Sequence, residues 1–321
     1  MRRLALLLGV FGAIGLAPLA IGSEFWLNAA LMTLYAALLG QAWNILGGYG
    51  GQFSFGHALF FGTGAYTVGI AQASFGVSPW IGFAAGGLLA AGVAAAMGYL
   101  TFRRGLRGSY FALVTLAFAE VFRVVANSTP FTGAGEGLLT PLAPGAAMMQ
   151  FATTADYFWL LWAITLVCFL VVWRLENARF GARLMAVRDN EEAAGAIGVD
   201  AFRVKLQAIA LSGFFSGLAG AFYAQKFLYV DPGIAFGPAV SVESLLAPIV
   251  GGIGTLFGPL LGAIALHATA ELARAAFGDA PGLSMAIYGA ILVVMVLFLP
   301  RGVAGLGRTT VRRLLGGRGN A

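Results

Sequence analysis

The sequence predicts an all-α integral membrane protein of about ten transmembrane helices, some broken or re-entrant, with both termini in the cytoplasm. Three observations predict it. Of 321 residues, 60% are hydrophobic and only 10% charged, too apolar for a water-soluble surface. Several windows reach the ~18–20 apolar residues that cross a bilayer. The basic residues also fall in alternate connecting segments, the pattern that orients membrane proteins. With the N-terminus inside, sixteen of nineteen Lys and Arg lie in inside segments, Arg123, Lys226 and Arg274 being the exceptions. A net charge of +6 thus needs no nucleic-acid partner; the partner it implies is lipid. A single cysteine, Cys168, excludes an intramolecular disulfide framework and a cysteine metal cluster.

The chain, 1–321, reads as one polytopic domain. Its N-terminal run, MRRLALLLGVFGAIGLAPLAIGS, has the basic start of a signal peptide, but the apolar stretch is long for one and a second span follows at once. A first span at Leu4–Ile21 is the preferred reading. The second is placed at Leu27–Leu46. The third, Ser54–Ser74, is introduced by GGYGGQFSFGH, where five glycines in ten residues disfavour a continuous helix. Broken backbone survives in a membrane only where protein or a water-filled cavity satisfies it, and transporters use such breaks as substrate sites. Gln52, Ser54 and His57 are therefore candidates for a polar pathway lining. Glycines that permit tight helix packing are an equal alternative.

Spans follow at Pro79–Phe102 and Ser109–Ala126. The latter carries Thr115 and Glu120 as further pathway candidates, with Arg123 three residues beyond Glu120. That spacing favours a structural ion pair over substrate contact. The loop Asn127–Ala155 has no Lys or Arg and is expected outside; its glycine-rich part, Thr129–Leu138, suits either contact with an external binding protein or a plain turn. A sixth span lies at Tyr157–Trp173. Four more are placed at Leu206–Gln225, Phe236–Val250, Pro259–Phe277 and Leu283–Leu299. Glu243 is an isolated acid near the outer end of the eighth. In the ninth, His267 and Glu271 share a helix face but lack a third ligand, so an ion pair between Glu271 and Arg274 is expected. GGIG at Gly251 echoes GGYG at Gly47, but 47 glycines in 321 residues make a chance match as good an explanation, and no repeat is inferred.

The segment Arg174–Lys205 holds eleven of the thirty-two charged residues. Within it, RDNEEAAGAIGVD reads as a short helix. Asp189 is placed as its cap with Glu192 three residues on, Ala193, Ala194 and Ile197 on one face, and Gly198 at its end, about 12 Å in all. From composition alone, a solvated connector is the plainer reading.

Four stretches in order, Trp43–Tyr66 (WNILGGYGGQFSFGHALFFGTGAY), Leu106–Arg123, the charged loop and Ser241–Ala263 (SVESLLAPIVGGIGTLFGPLLGA), resemble permease subunits of ATP-binding-cassette importers. The likeness covers most of Ala30–Gly302 and is to the branch handling branched-chain amino acids, in particular the second of its two paired permeases. The loop matches their signature of Glu-Ala-Ala, three residues, then Gly: Glu192, Ala193, Ala194 and Gly198. The Leu-Pro pair of the longer signature is absent. The resemblance implies that residues 175–205 form a cytoplasmic coupling loop whose short helix docks in a cleft of the ATPase, small residues allowing close approach and Arg188, Arg183 or Glu192 setting register. It implies two ATPase subunits, a second homologous permease, a periplasmic substrate-binding protein and a place in the bacterial cytoplasmic (inner) membrane.

There is no GxxxxGK[ST] loop, so ATP would be hydrolysed by partner subunits and no cofactor is expected in this chain; nor is an enzyme. The alternative, a secondary transporter or channel for a small polar metabolite such as urea or an amide, explains the spans equally well and leaves the Glu-Ala-Ala-x3-Gly loop without a purpose.

Overall fold

In a computed structural model of the chain, residues 2–277 and residue 289 are described. The described residues are predominantly helical, with one two-residue antiparallel ribbon, β1 (Leu138–Leu139) on β2 (Tyr229–Val230). Among the described residues, seven helical segments are long and apolar enough to cross a membrane. The tenth expected span, Leu283–Leu299, lies outside the described residues.

The first span is not one helix. α1 (Arg2–Gly15) gives way at Leu16 to α2 (Ala17–Ala20), because Pro18 has no N–H to continue the ladder. α3 (Glu24–Asn44) runs into a π-helical turn, Ile45–Tyr49. Residues 50–56 are then non-helical, and α4 (His57–Phe75) begins late. The glycine-rich break is where the composition predicts it. α5 (Pro79–Arg103), α6 (Gly108–Ser128) and α7 (Thr154–Glu176) follow. The charged segment forms α8 (Arg179–Asp189) and α9 (Glu191–Ala196), ahead of α10 (Ala201–Phe227). α11 (Pro232–Ala235) is one turn. α12 (Pro238–Gly251) has 14 residues, about 21 Å at 1.5 Å per residue and short of a ~30 Å hydrocarbon core. α13 (Gly258–Phe277) returns beside it.

Between helices in lipid there is no hydrophobic driving force, so close van der Waals fit and polar bonds must hold the bundle. α4, α5 and α10 meet along a seam of small residues. A Cβ on Gly64 would sit 2.0 Å from the Gly217 carbonyl oxygen, and one on Gly217 would sit 2.4 Å from Ala90 Cβ. Glycine is required there by backbone approach. A buried amide pair, Gln225 Nε2 to Gln72 Oε1 at 2.8 Å, fastens the far end of the same contact.

Ion pairs gather at one end of the molecule. Arg3 meets Glu176 at 3.3 Å, Arg107 meets Glu191 at 3.2 Å, and Lys205 meets the same Glu191 at 2.5 Å. The start of α1, the α5–α6 turn, the end of α7 and the start of α10 therefore share an end, as the charge count groups them. The opposite end carries the β1–β2 ribbon, with Trp80 Nε1 bonded to Ala146 O at 3.0 Å and Trp159 Nε1 to Gly15 O at 3.1 Å.

Candidate functional site

α9 is built from its caps inward. Its N-cap is Asn190, not Asp189: the Asn190 side chain accepts from Ala193 N at 3.0 Å. Asp189 instead completes α8 and pairs with Arg188 at 2.8 Å. The shift arises because Asn190 is the extended residue, φ −158° and ψ 105°, the backbone a cap needs. At the other end Gly198 has φ +84°, and Val199 N reaches back to Ala194 O at 3.0 Å. That left-handed closure favours glycine, as expected for this position. The expected shared face is corrected: Ala194 turns inward and is buried, whereas Ala193 is exposed and Ile197 is 78% exposed. Glu192 is also exposed, and open space surrounds the α-carbons of Gly195 and Gly198. The outward face of α9 is thus built mostly of small residues, with Glu192 and Ile197 projecting from it.

The inward side is clamped by charge. Glu191 accepts from Lys205 Nζ and lies against Arg107 Nε. Lys205 is 3% exposed, with its ammonium 5.7 Å from the Phe102 ring centre. A buried ammonium must be paired, and Glu191 is the pair. Sequence reasoning missed all three residues. One signal was available for Lys205: with Ala208, Ile209 and Ser212 it falls at helical spacing on the buried stripe of α10.

Arg188 does not point outward with Glu192. Its Nη1 donates to Gly48 O at 3.3 Å, and its Cγ would lie 2.5 Å from a Cβ on Gly51. Gly51 has φ +66° and so suits glycine twice over. Arg188 thereby ties the end of α8 to the broken segment after α3. The two glycine motifs dismissed as a chance echo meet at this point. Asn44 Oδ1 accepts from Gly254 N at 2.8 Å and Asn44 Nδ2 donates to Thr255 O at 3.1 Å, while a Cβ on Gly48 would sit 2.7 Å from Gly254 N.

Four of the five pathway candidates converge around that break. Ser54 Oγ accepts from Gly56 N at 3.1 Å, and Ser54 O accepts from Trp43 Nε1 at 2.8 Å. Thr115 Oγ1 on α6 accepts from Phe55 N at 3.1 Å and donates to Ala112 O at 2.8 Å. His57 Nε2 lies 2.8 Å from Ser212 Oγ, which itself donates to Ala42 O at 2.7 Å. Because the serine's one hydrogen goes to Ala42, Nε2 of His57 must carry the proton and donate. Nδ1 is then a buried acceptor with no partner among the described residues. Gln52 is half-buried, its amide nitrogen 3.3 Å from Gly50 O and its Oε1 without a partner among the described residues. Ser54, His57 and Thr115 are fully enclosed: Ser54 and Thr115 bond the broken backbone and His57 bonds α10, rather than facing an open channel in this conformation.

Glu120 stands apart. It forms a bidentate pair with Arg123 at 2.8 and 2.5 Å on a face of α6 that also exposes Leu113, Val121, Val124 and Val125. The expected pair of Glu271 and Arg274 is present at 3.1 Å.

The model of a family described as branched-chain amino acid transport system / permease component matches residues 25–296. The chain belongs to that family. It is 30% identical over 309 residues to the high-affinity branched-chain amino acid transport system permease protein LivM of Escherichia coli, covering 89% of this chain and 71% of that relative. It is 29% identical over the same length to the protein of that name in Salmonella typhimurium, with the same coverage. A more distant likeness, 28% over 165 residues, covers 46% of this chain and 48% of the ribose import permease protein RbsC of Bacillus subtilis. No solved structure matches. The chain is therefore a multi-pass membrane permease component.

Proposed function

We propose that this chain is one of two paired permease subunits of an ATP-driven importer in a bacterial cytoplasmic membrane, moving branched-chain or related amino acids. Two ATPase subunits bind the loops at the ion-paired end and hydrolyse the ATP; a periplasmic binding protein delivers substrate at the ribbon end. Both termini are cytoplasmic, and the chain crosses the membrane about ten times. The observation that carries this reading is the form of α9: an outward face mostly of small residues, gripped from behind by Glu191, within a chain of this family. A connector needs no such clamp.

Motion imposed on α9 passes through α8 and Arg188 to Gly48 and Gly51, and so to the backbone joining α3 to α4. Gln52, Ser54, His57 and Thr115 move with that segment, which gives them a role in gating the pathway. The apolar face of α6 bearing Glu120 and Arg123 seats the second permease, since a charged pair is costly against lipid. Affinity purification from the native membrane tests the assignment. ATPase subunits and a second permease should accompany the chain. A chain that isolates alone and transports without ATP would refute it.

A further inference from the structure

At the ribbon end, α3, α4 and α10 to α13 enclose a cavity of about 480 Å³, within the ~300–1,000 Å³ of small-molecule sites. None of the pathway candidates above lines it. Its floor is aromatic and buried, formed by Tyr35, Phe61 and Phe222; its rim is exposed, at Phe25, Phe227 and Ile234. Glu243 projects into it from α12, and Glu271 and Arg274 from α13.

These charges are not equivalent. Glu271 is paired with Arg274 at 3.1 Å. Glu243 makes no hydrogen bond or ion pair with any described residue. A carboxylate within a membrane span is retained against a cost and normally has a partner. Here the side facing Glu243 is a cavity. The group that satisfies a carboxylate most strongly is a cationic N–H donor, and aromatic faces around it also attract a cation. The rest of the wall is mainly apolar and aromatic, with Asn28 and His267 as its other polar side chains besides the tyrosines. At the mouth, Arg274 spends one nitrogen on Glu271 and keeps further N–H donors for an anion.

We infer that this cavity binds an α-amino acid with an apolar side chain. Glu243 accepts from its ammonium group, Arg274 donates to its carboxylate, and the aromatic floor takes the side chain. The choice of side chain and carboxylate rests on the amino-acid reading of function; the ammonium site rests on Glu243 and its surroundings. Ammonium is the group that discriminates, because no described residue forms an ion pair with Glu243.

The test uses an Ala239→Cys substitution in a Cys168→Ser background, in right-side-out membrane vesicles carrying the assembled transporter. Residue 239 lines the cavity one turn from Glu243 and is exposed. Its labelling by an impermeant thiol reagent is timed with leucine, leucinamide or 4-methylpentanoate present. A ligand at ten times its Kd should slow labelling about elevenfold. Leucine and leucinamide, which have the amine, should protect; 4-methylpentanoate, which lacks it, should not. Glu243→Gln should abolish protection and Glu243→Asp preserve it, with the unprotected labelling rate unchanged in both as the check on folding. Equal protection by 4-methylpentanoate, protection that survives Glu243→Gln, or none by leucine would overturn the inference. Leucine uptake is measured in parallel. Uptake without protection removes this site and leaves the proposed function standing; protection without uptake does the reverse.

Discussion

Replacing Glu191 by Gln leaves the Lys205 ammonium buried beside a neutral amide. Breaking a buried ion pair from one side typically costs ~3–5 kcal/mol. The Glu191 side chain is 22% exposed, so water recovers part of that loss, and the 56%-exposed Arg107 adds little. A cost of about 2–3 kcal/mol is reasonable. Because Glu191 is the first residue of α9, this cost falls on the seating of that helix. It corresponds to an opened population about 30- to 150-fold larger. The assay is hydrogen exchange at the Ala193, Ala194 and Val199 amides, which bond to the Asn190 side chain, Asn190 O and Ala194 O respectively. Their exchange should accelerate by that factor in Glu191→Gln and stay unchanged in Glu192→Gln, whose side chain is exposed. Adding Lys205→Met removes the stranded charge and should restore most of the protection. Equal acceleration in Glu191→Gln and Glu192→Gln, or no recovery in the double variant, would refute the clamp.

Gly198→Val forces a β-branched residue to φ +84°, at a cost of about 1–3 kcal/mol; the permease should reach the membrane while ATPase co-purification falls. Asp200→Asn should be nearly silent, because Asn can also accept the Arg203 N–H bond that caps α10 at 3.0 Å, whereas Asp200→Ala should lower thermal stability by ~1 kcal/mol. His57→Leu deletes the bond to Ser212 and should reduce the yield of assembled complex, with uptake per complex exposing any direct role in the pathway. Arg188→Ala should keep the ATPases bound yet lower uptake, since it cuts the link to Gly48 and Gly51; unchanged uptake would remove that link from the account. With Cys168 removed, cysteines at Leu142 and Asp200 should label from opposite sides of the membrane, and labelling of both from one side would overturn the topology.

Much of the architecture was legible because it depends on local quantities. Apolar length located α3, α5, α6, α7 and α10, and the glycine density before His57 marked the break. The alternation of basic residues grouped Arg3, Arg107, Arg174 and Lys205 without any contact being known. What was not legible depends on pairing across the chain. Glu191 and Glu192 are adjacent carboxylates on the same short helix; only the position of Lys205 decides that one is an anchor and the other free. The meeting of Gly48 with Gly254 is likewise invisible in a sequence this rich in glycine. Asn190 took the cap from Asp189 because α8, which was not anticipated, extends through Asp189. The cavity around Glu243 needs six helices to exist, so a lone acid in an apolar run was its whole trace.

Transport coupled to a partner ATPase through α9 is tested most directly by leucine uptake into proteoliposomes. These hold the two permeases, the ATPases and the binding protein, with ATP or a non-hydrolysable analogue trapped inside. Uptake should require hydrolysable ATP, and in Gly198→Val it should fall with the amount of ATPase retained. Equal uptake with either nucleotide, or undiminished uptake in that variant, would contradict the account.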